Sequence, residues 1–276
     1  MSAPSHCPLP AFGLAGQGGT ARIMERTHQH HDLEINYFTE GRLTLLHGGR
    51  LVVLEPRRMV LFWAATPHQV LRIEGEPRFF WFTLPMAWAG RWALPGEGWS
   101  RLLEGGLFVD AGGGMADRAT CERWLADLGD GPLANRAAAL LEMEALVRRL
   151  MAFPAKSRKT ARVNTGGISH SVERMAAYIA SHYTQPLKVE TVASQSGLHP
   201  NYAMNLFRKT CGLTIMESVL QQRLFHAKRL LLTTDLKILD VAMESGFGSA
   251  SRFYDAFKNS LGISPSEFRQ GNSGLH

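Results

Sequence analysis

Hydrophobic positions follow two different spacings along the chain. Between residues 20 and 85 they form short apolar runs separated by glycine or proline, among them LEINYFTEG, RLTLLHGG and MVLFWAA. Such runs are typical of β-strands joined by tight turns, and they predict a small β-barrel or sandwich. From residue 117 the apolar residues recur every three or four positions, which is the period of an α-helix. The pattern therefore predicts a β-rich half followed by helices.

The region 170–270 contains two copies of one unit. The segment TVASQSGL at 191–198 matches DVAMESGF at 240–247. After one inserted residue the matches continue within the same two copies, from Phe207 and Phe257 to Glu217 and Glu267. In each copy a short helix ends at a glycine that opens a tight turn before a second helix. This arrangement predicts two helix-turn-helix units, at about 188–210 and 236–260. Seven helices are predicted here, over about 170–183, 188–196, 200–210, 214–232, 236–245, 249–260 and 265–270.

Charge also divides the chain, at about residue 152. Residues 1–151 carry 15 Arg, no Lys and 16 acidic residues, whereas residues 152–276 carry 15 basic and 8 acidic residues. A basic module favours a polyanionic partner. The segment 152–169 is rich in basic residues and contains Pro154 and two glycines, which predicts a flexible linker. We therefore expect domains over 1–151 and 170–270.

The second helix of each unit presents a polar face. Tyr202, Leu206 and Phe207 are expected in the core of the first unit, and Phe253 and Phe257 in that of the second. The opposite faces offer groups that can bind base edges and phosphates in a major groove. The candidate DNA contacts are Asn201, Met204, Asn205, Arg208, Ser249, Ser251, Tyr254 and Lys258.

Residues 170–270 resemble the DNA-binding domain of the AraC/XylS family of bacterial transcription regulators. The segment VAMESGFGSASRFYDAFKNSLGISPSEFR follows the signature of that family closely. The resemblance implies sequence-specific binding of double-stranded DNA by both units and contact with RNA polymerase. Met204, Ala250 and Asp255 depart from the residues usual at outward positions, so the individual base contacts stay open.

Potential ligand residues lie in the β-prone half. His28, His30 and Glu34 resemble the first cupin motif and His68 the second, although Arg58 stands where cupins prefer glycine. The resemblance implies a cupin-like barrel. Imidazoles with one carboxylate suit a divalent metal such as zinc, nickel or iron. The same four side chains could instead line the pocket of an effector without metal.

The first half also suggests an effector. Trp63 lies close to His68 and is a candidate platform for a sugar ring, which adds it to His28, His30, Glu34 and His68 as an effector-binding residue. The segments 28–41, 61–69 and 84–86 are similar to those of a sugar-operon regulator in the family, which implies an oligosaccharide such as an α-galactoside.

Two helices are expected over residues 117–151, and the second has an apolar stripe along one side. The members of this stripe are Ala138, Leu141, Ala145, Leu146 and Leu150. They suit packing over the barrel, whereas the family resemblance favours dimerisation, and the sequence leaves both open.

These observations predict a two-domain transcription regulator, β then α, that is a homodimer, responds to a small molecule and is not an enzyme. No apolar run is long enough to span a membrane, and three scattered cysteines with no basic leader predict a cytoplasmic protein. Two alternatives remain. One is a metal-dependent cupin enzyme or a metal sensor fused to a DNA-binding domain, and the other is a DNA-bending protein that responds to no ligand.

Overall fold

The computed structural model describes residues 13–30, 32–92, 94, 96–110, 114–129, 131–152 and 170–271. Its described residues form a β-rich half and a helical half. The eight strands seen there are β1 (Ala15–Thr20), β2 (Leu33–Phe38), β3 (Arg42–His47), β4 (Arg50–Leu54), β5 (Val60–Trp63), β6 (His68–Glu74), β7 (Arg78–Leu84) and β8 (Phe108–Val109).

The strands form two antiparallel sheets rather than the closed barrel that the resemblance to cupins implies. One sheet has the order β1-β7-β2-β5-β8 and the other has the order β4-β3-β6. No hydrogen-bonded ladder closes the sheets among the described strands. The edge strands β1 and β8 instead contact helices, which cover them in place of further strands. The large aromatic residues Phe62, Phe80 and Phe82 of the first sheet are fully buried.

Four helices accompany the strands, namely α1 (Met86–Arg91), α2 (Gly96–Leu103), α3 (Arg118–Leu128) and α4 (Leu133–Ala152). The predictions of α3 and α4 are confirmed, and Asp117 caps α3 by accepting a hydrogen bond from the Thr120 backbone. Leu146 and Leu150 of the predicted stripe on α4 are buried, whereas Ala138 and Leu141 are exposed, Leu141 at 68%. The buried side of the helix also includes Ala139 and Met143. Periodicity predicts a stripe, but the neighbouring elements select which side of the helix is buried.

The helical half contains α5 (His170–His182), α6 (Val189–Ser194), α7 (Pro200–Cys211), α8 (Ile215–Thr233), α9 (Ile238–Glu244), α10 (Ala250–Leu261) and α11 (Pro265–Gly271). All seven predicted helices are confirmed. Helices α6 and α7 form the first helix-turn-helix unit, α9 and α10 form the second, and α8 joins them. The predicted linker lies outside the described residues apart from Ala152. None of the described helices combines the length and the hydropathy that crossing a bilayer demands.

Local sequence signals explain where these helices end. Gly212 after α7 and Gly262 after α10 both adopt the left-handed conformation, with φ of 70° and 74°. Thr214 and Glu217 form a reciprocal capping box at the start of α8, and Ser264 and Glu267 exchange the same two hydrogen bonds before α11. The repeat in the sequence is therefore a repeat in structure.

The β-rich half contacts the first unit and α8. The turn between β3 and β4 touches α5, where a Cβ on Gly49 would lie 2.8 Å from the Ala176 carbonyl oxygen. The Trp63 ring lies 5.4 Å from the ring of Phe225 on α8. Gly212 follows the last residue of α7, and a Cβ at this position would lie 1.9 Å from the backbone oxygen of Glu25. Glycine is needed at 212 both for its positive φ and for this close approach.

Candidate functional site

Helix α7 presents the polar face that the sequence predicts. Pro200 occupies its first turn, and the ring of His199 accepts a hydrogen bond from the Asn201 backbone. Ala203, Phe207 and Cys211 face the core. The four predicted contacts on this helix are exposed, and they are Asn201, Met204, Asn205 and Arg208.

Helix α10 repeats this arrangement. Ser249 caps it by accepting a hydrogen bond from the Arg252 backbone, so the predicted DNA contact at this position also begins the helix. Phe253 and Phe257 are buried. Ser251, Tyr254 and Lys258 are exposed, whereas Ser249 is half-buried. The order of buried and exposed residues is the same in 201–210 and 251–260, so the two helices present equivalent faces.

The prediction that Tyr202 lies in the core is wrong. Its side chain is 59% exposed, and Ala203 takes the buried position instead. The reason is the spacing of the buried residues, because Ala203, Phe207 and Cys211 follow one another at intervals of four. The repeat contains the missed signal, since Ala203 matches the buried Phe253 of the second copy. Tyr202 therefore joins the outward side of α7.

The four predicted ligand residues of the β-rich half come together. Glu34 lies on β2 and His68 begins β6, while His28 and His30 lie in the segment before β2. The Glu34 Oε2 atom is 2.8 Å from His30 Nε2 and 3.5 Å from His68 Nε2. The backbones of His28 and His68 exchange two hydrogen bonds of 2.8 and 3.1 Å. We call His28, His30, Glu34 and His68 the quartet.

Two further residues support the quartet and were missed by the sequence analysis. Asp32 Oδ2 lies 3.2 Å from His30 Nδ1 on the other side of the ring. His47 on β3 pairs with His68 across the sheet, and its Nε2 atom donates to the Gly105 carbonyl oxygen at 3.1 Å. Asp32 had a visible signal, because residues 28, 30, 32 and 34 alternate as His, His, Asp and Glu. His47 had none, since its neighbour His68 is far away along the chain.

Burial and charge set different protonation states within this group. Burial, together with the neighbouring His68 and His30, lowers the pKa of His28 to about 4, so this ring is neutral at pH 7. Burial also lowers the pKa of His47, to about 3. Burial opposes charge on His30, but hydrogen bonds to Asp32 and Glu34 outweigh it and raise the pKa. Burial would raise the pKa of Glu34, yet His68 and His30 lower it.

The quartet fits a divalent metal by its donor chemistry. One ring nitrogen from each of His28, His30 and His68 can be chosen so that all three lie within 4.8 Å of one another. Neutral imidazoles and a carboxylate are ligands for zinc, nickel and iron. Glu34 already contacts two of the rings, and the site is buried. This group can therefore hold a metal ion or serve as a hydrogen-bonded polar core.

Trp63, the predicted platform for a sugar, is more deeply buried than a side chain that stacks on a ligand needs to be. Its side chain is 1% exposed, and its ring packs towards Phe225 of α8. In this arrangement it connects the two halves of the molecule.

The fold and the two exposed recognition faces define a DNA-binding transcription regulator. A helix-turn-helix domain family matches residues 192–271. The regulatory protein SoxS of Escherichia coli (strain K12) is 33% identical over 98 residues, which cover 36% of this chain and 92% of SoxS. The chain therefore belongs to the AraC-type family of helix-turn-helix transcription regulators.

Two further comparisons extend beyond the DNA-binding region. The melibiose operon regulatory protein of Escherichia coli (strain K12) is 29% identical over 255 residues, covering 90% of this chain and 84% of that protein. The structure of unsaturated fatty acid-bound ToxT from Vibrio cholerae aligns with 94% of this chain and 95% of its own, at 14% identity and a TM-score of 0.37. A score this low defines no common arrangement of the domains.

Proposed function

We propose that this transcription regulator is controlled by a small-molecule effector that binds its β-rich half. The observation that carries the proposal is the direct packing of that half on α5, on the end of α7 and on α8. Because α8 joins the two helix-turn-helix units, a change in the β-rich half can alter how both recognition helices meet DNA. An effector must bind the two arrangements with different affinity, since otherwise it shifts nothing.

A sugar is the proposed class of effector, with an α-galactoside as its leading member. Support comes from the similarity to the melibiose operon regulatory protein, which extends over both halves of the chain. The effector residues expected from the sequence are His28, His30, Glu34, Trp63 and His68. Of these, His30, Trp63 and His68 are at most 3% exposed, which suits an occupant smaller than a sugar at the quartet.

We further propose that the protein acts as a homodimer and contacts RNA polymerase, as the family resemblance implies. The start of α4 supports the dimer, because Leu133 and Leu141 are 85% and 68% exposed on a helix whose other side is buried. We expect no catalytic activity, since the relatives of this chain are named as regulators.

In vitro selection of DNA bound by the full-length protein tests this function. We expect a common sequence with repeated sites, and we expect melibiose to change the affinity for that sequence. Recovery of no common sequence would exclude specific recognition. An affinity that no sugar or metal alters would instead favour the DNA-bending protein without a ligand response.

A metal-responsive regulator is the second candidate, because donor atoms of His28, His30 and His68 lie within 4.8 Å of one another and Glu34 contacts two of these rings. The metal would crosslink three segments of the β-rich half and so stabilise it. We expect zinc to raise the thermal midpoint of the full-length protein, and EDTA to reverse the rise. His68→Gln should abolish the effect, whereas the matched change His170→Gln at an exposed position on α5 should not. Equal zinc binding by wild type and His68→Gln would exclude this site.

A further inference from the structure

A cleft lies between α2 of the β-rich half and the end of α8. It encloses about 350 Å³, near the lower end of the ~300–1,000 Å³ of small-molecule pockets. Helix α2 and the turn after it supply Trp99, Ser100 and Glu104 to its wall. Helix α8 supplies Arg229 and Thr233. The two walls therefore belong to different halves of the molecule.

The side chains of the cleft suit a polyhydroxylated molecule. The half-buried indole of Trp99 offers an apolar face that can pack on the C–H face of a sugar ring. Glu104 and Arg229 can accept and donate hydrogen bonds to hydroxyl groups, and bonds to charged groups are the strong ones. The hydroxyl oxygens of Ser100 and Thr233 add further partners. Apolar and polar groups thus line the same small volume.

The interior of the β-rich half offers a poorer fit for a sugar. Phe38, Leu45 and Phe62 are buried in one apolar cluster to which strands of both sheets contribute, so they fill the space between the sheets. The quartet beside them is closely hydrogen-bonded. A disaccharide there would have to displace packed aromatic rings, and tightly packed interiors resist such insertion. The cleft needs no such rearrangement.

We propose that this cleft is a binding site for a mono- or disaccharide that holds α2 against α8. The proposal rests on the effector-controlled function above and assigns the place where the sugar acts. A ligand that touches both walls binds only the arrangement in which α2 and α8 are adjacent. Its binding therefore selects that arrangement. Since α8 connects the two helix-turn-helix units, the selected arrangement fixes their positions relative to the β-rich half.

The test titrates the full-length protein with melibiose and with maltose while tryptophan fluorescence is followed. Either sugar is expected to change the fluorescence of the wild type. Arg229→Gln should weaken the binding by about tenfold or more, because a hydrogen bond to a charged group is lost. Arg136→Gln, an exposed position on α4, is the matched control and should bind as the wild type does. Trp99→Phe should keep most of the affinity but lose most of the fluorescence change.

The effect of each sugar on DNA affinity separates the possible failures. If a sugar shifts DNA affinity equally in wild type and Arg229→Gln, the cleft is not the site, although the effector-controlled function stands. If neither sugar binds and neither shifts DNA affinity, the cleft proposal and the sugar effector are both wrong. A fluorescence change that survives Trp99→Phe would also place the sugar elsewhere.

Discussion

Lys228 lies on α8 with its side chain fully buried where this helix meets the segment before β2. Its Nζ atom is 3.5 Å from Gln29 Oε1, the outer limit of a hydrogen bond. Gln29 Nε2 has no hydrogen-bond partner among the described residues. Burial lowers the pKa of Lys228 to about 7. The contact between the halves therefore includes a poorly compensated polar group, which costs free energy.

Replacing Lys228 with methionine should stabilise the protein. We expect Lys228→Met to raise the free energy of unfolding by about 1–4 kcal/mol, the gain seen when buried charges give way to apolar side chains. Urea denaturation at pH 7 measures this, and Lys209→Met at an exposed position on α7 serves as the control. A lower stability in Lys228→Met than in Lys209→Met would contradict the assignment of an energetic cost to this lysine.

The lowered pKa of Lys228 predicts that the stability of the protein depends on pH. Its pKa is about 7 in the folded protein and ~10.4 in an unfolded chain, so the unfolded state binds more protons between these values. The contribution of Lys228 to stability therefore rises as the pH increases from 7 towards 10, and it changes little below 7. Denaturation at several pH values should show this rise in wild type and not in Lys228→Met. Identical pH profiles would disprove it.

The local sequence does not indicate that Lys228 is buried. Its neighbour Ala227 faces the core, but Gln29, which Lys228 contacts, lies 199 positions away. Likewise, His28, His30, Glu34 and His68 could be recognised from their resemblance to the cupin motifs, whereas His47 belongs to neither motif. Short-range spacing is visible in a sequence, and contacts across the fold are not.

At the scale of elements, helix ends were predictable and helix orientations were less so. Glycine at 212 and 262 and the capping boxes after them act within one turn, so α7, α8 and α10 end and begin close to the predicted residues. The buried side of a helix depends on its neighbours. Tyr202 was assigned to the wrong side of its helix for this reason, although α7 itself was predicted correctly.

The outward side of α7 predicts two different effects on DNA binding. Arg208→Ala should weaken binding to every sequence and lower the salt slope by about 1, because a phosphate contact is lost. Asn205→Ala should instead relax specificity at one base position by ~1–3 kcal/mol. Arg136→Ala on α4 is the control for loss of an exposed arginine. Competition binding at several salt concentrations distinguishes these effects, and an unchanged salt slope in Arg208→Ala would refute the phosphate contact.

At the scale of the whole molecule, the change in composition predicted two modules but not their contact. The tryptophans and lysines lie in different halves, which is visible in the sequence alone. The packing of Trp63 against Phe225 and of Gly212 against Glu25 joins residues far apart in the chain. Neither contact follows from local spacing. The first half therefore rests directly on the DNA-binding half.

The proposed dimer predicts a change in the state of assembly. Leu141→Glu places a charge on the exposed side of α4 and should weaken dimerisation by at least about tenfold, or 1.4 kcal/mol. Met243→Glu on α9 is a matched control, because Met243 is also exposed at 50%. Sedimentation measures the dissociation constants. A dimer as stable in Leu141→Glu as in Met243→Glu would place the interface on another surface.

Because Lys228 is buried, its chemical reactivity can report on the contact between the two halves of the molecule. Every lysine lies between residues 156 and 258, so an amine-reactive ester modifies side chains of the second half only. Lys209 is exposed and Lys228 is covered by the first half. The extent of acylation of Lys228 relative to that of Lys209, measured by mass spectrometry, then reports how readily the two halves separate. Natural lysines thus suffice to follow the opening of this regulator in solution, with no engineered probe.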